Sequence, residues 1–299
     1  MMPVALENTV DDVALVFEGG GMRGAYTAAV VSTLIDEGLH FPHVSGISAG
    51  SSHVVNYVSR DSDRARATFV DIAADPRCGG WHYWRAGKGL FNVEFLYDEV
   101  VRPGGPLPFD LETFRASPAT VRIGSFNATA GRPEWFTRED MPDVYSMAQR
   151  VRASSTLPML MPPVELDGSV YFDGALGFNG GIALDAPMRD GYKKFVVVMT
   201  RARDYVKTRE RAWLEETVRT RFRKYPAMVD GVINRAARYN AVRARLLEME
   251  ARGQAWLFFP ENITIPNTEM SVERLQDAYD SGMEQMQRSL PSLKKFLGV

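Results

Sequence analysis

The sequence predicts an α/β protein whose central sheet is mainly parallel. Short apolar runs such as Val13–Phe17 have the length and composition of fully buried parallel strands. Residues at helical spacing follow such runs, so that strand and helix signals alternate along the first two thirds of the chain. Glycine-rich turns stand at two of the strand-to-helix transitions, residues 18–24 and 46–50. Together these observations favour strand, loop and helix units over an all-α or all-β fold.

The predicted elements follow from apolar periodicity and from glycine and proline positions. Gly38 is a natural end for the first helix, and Asp167-Gly168 is a strong two-residue hairpin signal. In chain order we predict strand 13–17, helix 25–35, strand 44–47, a helix in 51–58, helical stretches 93–101 and 111–115, strands 120–128 and 134–138, the hairpin 164–172, helix 181–189 and strand 194–200.

Composition changes after Thr200. Residues 201–253 carry 14 Lys and Arg against 7 Asp and Glu, a net charge of +7, whereas the rest of the chain carries −9. Apolar residues recur there at helical spacing, with a break at Pro226, and we expect a strand at 256–259 and one or two helices in 272–297. The predicted organisation is a tail, 1–12, a catalytic α/β domain, 13–190, and a last core strand with a mostly helical region packed on the core, 191–299.

The overall composition excludes several classes of protein. With 299 residues, 45% of them hydrophobic, and a formal net charge of −2, the chain can bury a large core and is not a general nucleic-acid binder. One cysteine, Cys78, excludes an internal disulfide framework and a multi-cysteine zinc site. No signal peptide and no membrane-spanning run is readable, so a cytoplasmic location is expected.

The first chemical motif is a glycine loop between a predicted strand and a predicted helix, Gly19-Gly20-Gly21-Met22-Arg23-Gly24. It matches G-x-G-x-x-G, which exposes backbone N–H groups at a helix start and suits an anion. A glycine-rich turn and a dinucleotide loop are the alternatives. Arg23 either adds positive charge near a phosphate head group or pairs with a nearby carboxylate.

The second motif is Gly46-Ile47-Ser48-Ala49-Gly50, a G-x-S-x-G sequence where a strand passes to a helix. The glycines permit a turn sharp enough to project the Ser48 hydroxyl, and the following helix start favours negative charge. The alternative is a structural turn serine. Two such loops after the first two strands favour Ser48 as a nucleophile.

A base is then required, and four Asp-Gly pairs supply candidates. Asp167 belongs to the hairpin turn, Asp190 lies between a helix and a strand, and Asp230 lies in a helical pattern. Asp173 ends a strand and opens the stretch Gly174-Ala175-Leu176-Gly177, where its side chain can face another loop at the sheet edge. A capping or turn role is the alternative for Asp173.

In this order, the glycine loop at 19–24, Gly46-x-Ser48-x-Gly50 and Asp173-Gly174-Ala175 resemble the three signatures of the patatin-like phospholipases. The segments 153–158 and 161–164 are also similar to the part of those proteins that precedes the hairpin. The resemblance covers roughly residues 13–190. The basic helical region after it resembles the C-terminal part of a bacterial branch of the same family.

The resemblance implies a three-layer fold and an acyl-ester hydrolase that uses a Ser–Asp dyad. Ser48 would be the nucleophile and Asp173 the proton acceptor, with backbone N–H groups of Gly20, Gly21 and Met22, and also Ala49, as the oxyanion hole. A lipid or other acyl ester is the implied substrate, and neither a metal nor an organic cofactor is required. An aspartate has an ordinary pKa of about 3.9, so burial must raise the pKa of Asp173 for it to act as a base.

The four histidines, His40, His43, His53 and His82, are poorly placed for an ordinary triad. His53 follows Ser48 on the same helix, and His40 and His43 flank the opposite end of the strand. His82 lies in an aromatic cluster, residues 81–84, that either packs under a loop or forms an interfacial lip. The segment from Leu157 to Pro163, with Met159 and Met161, is a candidate for lining an acyl site, with core or loop packing as the alternative.

Three functions remain on the sequence alone. The leading one is a patatin-like lipid acyl hydrolase. A non-catalytic lipid-binding module would keep the same fold. A dinucleotide-binding oxidoreductase needs an acid at the end of the second strand, where this chain has Ser48. Peripheral membrane contact through the basic segment stays open, although its interleaved glutamates favour an ordinary solvated face, and the oligomeric state is not readable.

Overall fold

The computed structural model describes residues 6–86 and 89–299, apart from the side chains of Trp81 and His82. Eight strands in this part of the chain form one sheet in the order β5-β6-β3-β2-β1-β7-β8, and β4 pairs with β3 beside that path. The strands are β1 (Val13–Phe17), β2 (His43–Ile47), β3 (Thr120–Asn127), β4 (Arg132–Phe136), β5 (Val164–Leu166), β6 (Ser169–Asp173), β7 (Lys194–Val198) and β8 (Ala255–Phe258).

The sheet is mainly parallel, which confirms the predicted fold class. Strands β3, β2, β1, β7 and β8 pair in parallel with their neighbours. The remaining pairs, β3 with β4, β3 with β6 and β5 with β6, are antiparallel. Strand β6 therefore reaches the middle of the sheet from the opposite direction.

Helices cover both faces of the sheet. The α-helices of the described residues are α1 (Gly24–Asp36), α2 (Ala49–Val58), α3 (Ser62–Ala67), α4 (Trp81–Arg85), α5 (Leu111–Ala116), α6 (Val144–Ser155), α7 (Asp185–Arg189), α8 (Ala212–Arg221), α9 (Pro226–Ala251) and α10 (Val272–Leu297). No helix in the described ranges has a stretch long and apolar enough to cross a bilayer.

Strand β1 shows how the three layers arise. Leu15 and Phe17 point into the apolar core that contains α1, α2 and α10. Ala14 and Val16 point to the other face, where Tyr239 and Leu246 of α9 pack. Because successive side chains of a strand alternate between faces, a strand that is apolar throughout can contribute to both cores.

The C-terminal region is built into the same sheet. Strands β7 and β8 extend the parallel part, and α10 packs against α1. The Tyr26 hydroxyl donates a 2.7 Å hydrogen bond to Gln285 Oε1, and Gly282 lies directly against the Tyr26 carbonyl. The division at residues 190 and 191 stays a prediction.

Several predicted elements differ from the structure. The helix expected at 181–189 begins only at Asp185, because Gly180 and Gly181 have φ of +64° and +120° and Ile182 bridges to Glu18. The strand expected at 134–138 ends at Phe136, and the stretch expected to be helical at 93–101 is helical over residues 93–99, with π-helical geometry at Phe95–Glu99. Helix α6 was not predicted.

The remaining predictions are close to the structure. The hairpin joins β5 to β6 through Asp167 and Gly168, which have φ of +49° and +77°. A break at Pro226 separates α8 from α9, since Pro226 is the first residue of α9. The closing segment is one helix, α10.

Candidate active site

Ser48 lies at the sharp turn between β2 and α2. Its φ of +57° and ψ of −128° belong to a region that residues with a side chain rarely adopt. A Cβ atom on Gly46 would collide with the Gly50 carbonyl, and one on Gly50 would lie 2.5 Å from the Phe17 carbonyl oxygen. The two glycines of the G-x-S-x-G motif are therefore needed for the turn to close against β1.

Hydrogen bonds hold the Ser48 backbone in this conformation. The Ser48 N–H donates to Ser154 Oγ at 2.9 Å, and the Ser154 hydroxyl donates to the Gly124 carbonyl at 2.6 Å. The Ser51 hydroxyl donates to the Ser48 carbonyl at 2.5 Å. Ser154 fixes the turn from 106 residues away, and sequence reasoning placed it only in a segment of family resemblance.

Asp173 lies at the end of β6, and only 1% of its surface is exposed. In the sheet register Asp173 stands opposite Ser125, and the preceding residue of β3, Gly124, stands opposite Ile47. Ser48 and Asp173 thus flank β3 at adjacent positions. The structure brings together the two side chains that the sequence analysis selected.

The Asp173 carboxylate is only partly hydrogen-bonded. Its Oδ1 accepts from the Ala175 N–H at 2.8 Å, whereas its Oδ2 is buried and has no hydrogen bond of good geometry. A Cβ on Gly174 would collide with the Gly124 carbonyl, so this position too requires glycine. A buried oxygen without a partner is rare in folded proteins and is a feature of functional sites.

Burial raises the pKa of Asp173 above its ordinary value. Three favourable contacts oppose the rise: the positive charge of Arg235, the Ala175 N–H, and the Ser48 hydroxyl. The Ser48 hydroxyl thus lies close enough to lower the pKa of the Asp173 carboxylate, although the two groups do not have the geometry of a hydrogen bond. A base with a raised pKa accepts a proton more readily than a surface aspartate does.

The glycine loop presents free N–H groups beside Ser48. The Gly19 N–H donates to the Gly181 carbonyl at 3.0 Å. Within the described residues, the N–H groups of Gly20, Gly21 and Ala49 donate no hydrogen bond. Gly21 has a φ of +56°, and a Cβ on Gly20 would lie 2.7 Å from Thr200 Oγ1. These three N–H groups can receive an anion.

Met22 differs from the expectation. Its N–H donates to the Asn267 carbonyl at 3.0 Å, so in this conformation it is not free to join an oxyanion hole. Asn267 belongs to the loop between β8 and α10, and a Cβ on Gly21 would collide with the same carbonyl oxygen. The sequence held no signal for this contact, because the two partners lie 245 residues apart.

The last two residues of the glycine loop are buried. A Cβ on Gly24 would enter the Phe69 ring, which explains the glycine at the start of α1. Arg23 is 8% exposed, and its Nε and Nη1 atoms have no hydrogen-bond partner. It does not form the carboxylate ion pair that was one of the two alternatives for it.

A cavity of about 150 Å³ opens at Ser48 and is lined mainly by apolar side chains. Leu157 and Met161 line it as expected, whereas Met159 does not line it and is 39% exposed. The apolar lining comes from α2, the segment after α3, the π-helical turn with the residues on either side of it, α6 and the Asn267 loop: Val55, Phe69, Ile72, Phe91, Leu96, Val100, Val101, Leu107, Met147, Val151 and Met270.

The described histidine side chains do not approach the dyad. His53 Nε2 forms a 2.8 Å hydrogen bond with Thr27 Oγ1, and its ring packs between Phe17 and Phe69. Burial lowers the pKa of His53 to about 3. His43 pairs with Asp190 at 2.9 Å, at the opposite end of β2. The predicted aromatic lip at 81–84 includes the His82 and Trp81 side chains, which lie outside the described residues.

The other Asp-Gly aspartates are used elsewhere. Asp167 forms the hairpin turn, Asp190 pairs with Arg122 and His43, and Asp230 on α9 pairs with Arg238. Asp173 is the member of the four whose carboxylate faces Ser48. In residues 6–86 and 89–299 no group of three or more His, Cys, Asp or Glu side chains lies together as a metal site would require.

Comparison with known proteins gives two family matches. The profile of the patatin-like phospholipases matches residues 15–186, which is more than half of the chain. A domain of unknown function, DUF6363, matches residues 225–298.

Two individual proteins are also similar. The uncharacterized protein YjjU of Escherichia coli strain K12 is 27% identical over 197 residues, which are 63% of this chain and 52% of YjjU. The matched part of the chain thus spans about half the length of that relative. The crystal structure of VipD from Legionella pneumophila aligns with a TM-score of 0.45 and 14% identity, over 92% of this chain and 67% of VipD.

Proposed function

This chain belongs to the patatin-like phospholipase family, and we propose that it hydrolyses a carboxylic ester of a lipid through a dyad of Ser48 and Asp173. The observation that carries the proposal is the buried Oδ2 of Asp173, which lacks a hydrogen bond and lies beside the hydroxyl of a serine at a strained turn. That oxygen can receive the serine proton. No metal or organic cofactor enters the proposed reaction.

In the first half of the reaction, Ser48 Oγ attacks the ester carbonyl carbon and its proton passes to Asp173 Oδ2. The carbonyl oxygen becomes an oxyanion, which the N–H groups of Gly20, Gly21 and Ala49 stabilise together with the start of α2. The tetrahedral intermediate collapses, the ester C–O bond breaks, and the leaving alkoxide takes the proton from Asp173. The products of this half are the alcohol or lysolipid and an acyl-Ser48 ester.

In the second half, a water molecule gives a proton to Asp173 and attacks the acyl-Ser48 carbonyl. The same N–H groups stabilise the second oxyanion. When the bond between the acyl carbon and Ser48 Oγ breaks, Asp173 returns the proton to Ser48 Oγ and the fatty acid leaves. Each proton removed is thus returned, and the dyad ends in its starting state.

The apolar cavity beside Ser48 is the proposed acyl site. Its walls combine side chains from both parts of the chain, Leu157 and Met161 from before the hairpin and Met270 from the loop before α10. An acyl chain there buries CH₂ groups, each worth about 0.8 kcal/mol. This assignment supports a lipid ester over a small polar ester.

Substitution of the dyad tests the proposal directly. We expect Ser48→Ala and Asp173→Asn each to lower p-nitrophenyl ester hydrolysis by about a thousandfold or more. Asp167→Asn is the matched control, since Asp167 lies in the turn of the same hairpin with an 88% exposed side chain and asparagine tolerates its positive φ. The control is expected to keep full activity.

Folding of the variants is checked by thermal unfolding at pH 7. Burial raises the pKa of Asp173, so the ionised carboxylate opposes folding at a pH above its folded pKa. Asp173→Asn removes that charge and is expected to melt no lower than the native protein. Full hydrolytic activity in either dyad variant would rule out the dyad.

A further inference from the structure

Four cationic side chains lie beside the glycine loop, and none of them forms an ion pair with a residue that the structure describes. They are Arg23 of the loop, Arg201 and Lys207 from the segment after β7, and Arg235 of α9. Other basic residues of the same region do pair, including Arg203 with Glu250 and Arg209 with Glu215. Arg23, Arg201, Lys207 and Arg235 together form the cation cluster.

Arg23 is the most buried member. Only 8% of the residue's surface is exposed, and its Nε and Nη1 atoms are buried and donate no hydrogen bond to any described residue. Burial lowers its pKa to about 10, the charge of Arg201 adds to this effect, and Glu18 opposes it. Leaving buried charged donors without an acceptor is costly, so an external acceptor would stabilise this side chain.

Lys207 and Arg201 stand on two packed tyrosine rings. Lys207 Nζ lies 5.9 Å from the centre of the Tyr239 ring, and the Arg201 guanidinium lies 4.5 Å from that of Tyr205. The two rings are 6.1 Å apart in an edge arrangement. Cation–π contacts with these two rings therefore hold Lys207 and Arg201 in place without a carboxylate partner.

Burial also lowers the pKa of Lys207 to about 8, and the charges of Arg235, Arg201 and Arg23 act in the same direction against that of Glu210. The charges of the four cations therefore act on one another. Lys207 remains mostly protonated at pH 7 at this pKa, so the positive charge of the cluster is retained.

Glu18 is the carboxylate whose charge acts on Arg23, and it already accepts hydrogen bonds from other groups. Its Oε2 accepts the Thr200 N–H at 2.5 Å, and it also acts on the Tyr239 hydroxyl. Apart from the dyad carboxylate of Asp173, the carboxylates that act on the cluster are Glu18 and Glu210, and with both of them ionised the four cations keep a surplus of two positive charges. This surplus fits a dianion better than a monoanion or a zwitterion.

The cluster adjoins the dyad but not the acyl cavity. Arg235 is close enough to Asp173 to lower its pKa, and a Cβ on Gly181, whose carbonyl binds the Gly19 N–H, would lie 3.7 Å from Arg235 Nη2. None of the four cations lines the apolar cavity. An ester bound at Ser48 therefore has the apolar cavity on the side of its acyl chain, and the cation cluster lies on a different side of Ser48.

We propose that Arg23, Arg201, Lys207 and Arg235 bind a dianionic phosphate group, and that in a substrate this group is the phosphate monoester head group of a lipid. The anion site stands on its own geometry, whereas its use as a head-group site rests on the proposed hydrolase function. Three of the four ligands lie beyond residues 15–186, so the C-terminal part of the chain supplies most of the site.

A binding experiment tests the anion site independently of hydrolysis. Inorganic phosphate is titrated against the full-length native protein by calorimetry and thermal shift, with chloride at matched ionic strength as the reference. We expect phosphate to bind and raise Tm, and Lys207→Gln and Arg201→Gln each to weaken binding by about tenfold. Lys224→Gln and Arg223→Gln, which replace exposed cations outside the cluster, are expected to leave it unchanged.

A kinetic experiment identifies the source of the phosphate. The ratio of kcat/KM for dioleoyl phosphatidic acid to that for dioleoylglycerol is measured in the same neutral mixed micelles. We expect the native ratio to exceed one, and Lys207→Gln and Arg201→Gln to lower it by about tenfold while the two control variants keep it. Phosphate binding with an unchanged ratio would support a site for free phosphate.

The two arms separate the possible failures. Phosphate binding that the cluster variants weaken, in a protein that hydrolyses no ester, would support the anion site and contradict the proposed hydrolase. Ester hydrolysis with no phosphate binding, and with a ratio that neither cluster variant changes, would overturn the cation cluster as a phosphate site.

Discussion

Asp173 determines the chemistry at the scale of single residues, because it has to act as a base without a histidine. Its burial raises its pKa, and the charge of Arg235 moderates the rise. The carboxylate is the active form in the proposed reaction. Its protonation therefore sets the acid limit of activity.

We expect the acid limb of kcat/KM for a p-nitrophenyl ester to lie above the ordinary aspartate pKa of about 3.9. Arg235 favours the ionised form, so Arg235→Gln should raise the pKa of Asp173 further and move the limb to higher pH. Arg238→Gln, one turn along α9 and paired with Asp230, should leave the limb in place. A limb that shifts to lower pH in Arg235→Gln would contradict Asp173 as the base.

The sequence could predict the positions of Ser48 and Asp173 because each stands in a local pattern of glycines and apolar strands. It could not predict the supports that come from distant segments. Ser154 binds the Ser48 N–H and Asn267 binds the Met22 N–H, and neither contact leaves a periodic or spacing signal. The state of Arg23 likewise depends on residues of α9 and of the segment after β7.

At the scale of elements, the tight packing of α10 on α1 fixes the C-terminal region against the catalytic part. Gly282 allows the approach, because a Cβ there would enter the Tyr26 carbonyl and lie 3.0 Å from the Ala29 Cβ. The Tyr26–Gln285 hydrogen bond lies next to this contact. The loop that carries Asn267 leads directly into α10.

We expect Gly282→Ala to lower the free energy of unfolding by about 1–3 kcal/mol, because the added methyl group forces α1 and α10 apart. Helix propensity alone predicts the opposite sign, a gain of about 1 kcal/mol for alanine over glycine. Urea unfolding at equilibrium measures the difference. Glu284→Ala on the exposed side of α10 is the control, expected within about 0.5 kcal/mol of native, and a stabilised Gly282→Ala would contradict the packing argument.

Element prediction succeeded where a pattern was local and failed where distant contacts decide. Strand β1 and the β5–β6 hairpin follow from an apolar run and from Asp167-Gly168. The helix expected at 181–189 is shortened by two glycines that serve the contact between Gly181 and the glycine loop. Helix α6 was missed because its buried residues, such as Met147 and Val151, alternate with arginines.

At the scale of the whole molecule, the proposed function requires that the cavity mouth face a lipid surface. Trp84 on α4 is 49% exposed, and Phe91, seven residues later in the chain, lines the cavity. The basic segment contributes less than its charge suggests, because Arg203, Arg209, Arg238 and Arg252 pair with acidic neighbours. We therefore expect apolar rather than basic contacts to dominate at an interface.

We expect Trp84→Ser to lower hydrolysis of phospholipid vesicles by about fivefold, the equivalent of ~1 kcal/mol of lost apolar burial. Hydrolysis of soluble p-nitrophenyl butyrate should change little. Trp213→Ser is the matched control, because Trp213 is 63% exposed on α8 and no residue near it in the sequence lines the cavity. An equal loss of vesicle hydrolysis in the two tryptophan variants would contradict a specific contact between Trp84 and the lipid surface.

Covalent labelling at the proposed nucleophile tests the central claim most directly. The native protein, Ser48→Ala and Asp173→Asn are treated with a fluorophosphonate, and intact mass and peptide mapping locate the adduct. The Ser–Asp dyad predicts one adduct at Ser48 in the native protein, none in Ser48→Ala and much slower labelling in Asp173→Asn. An adduct at another serine, or ester hydrolysis by a native protein that is never labelled at Ser48, would contradict the account.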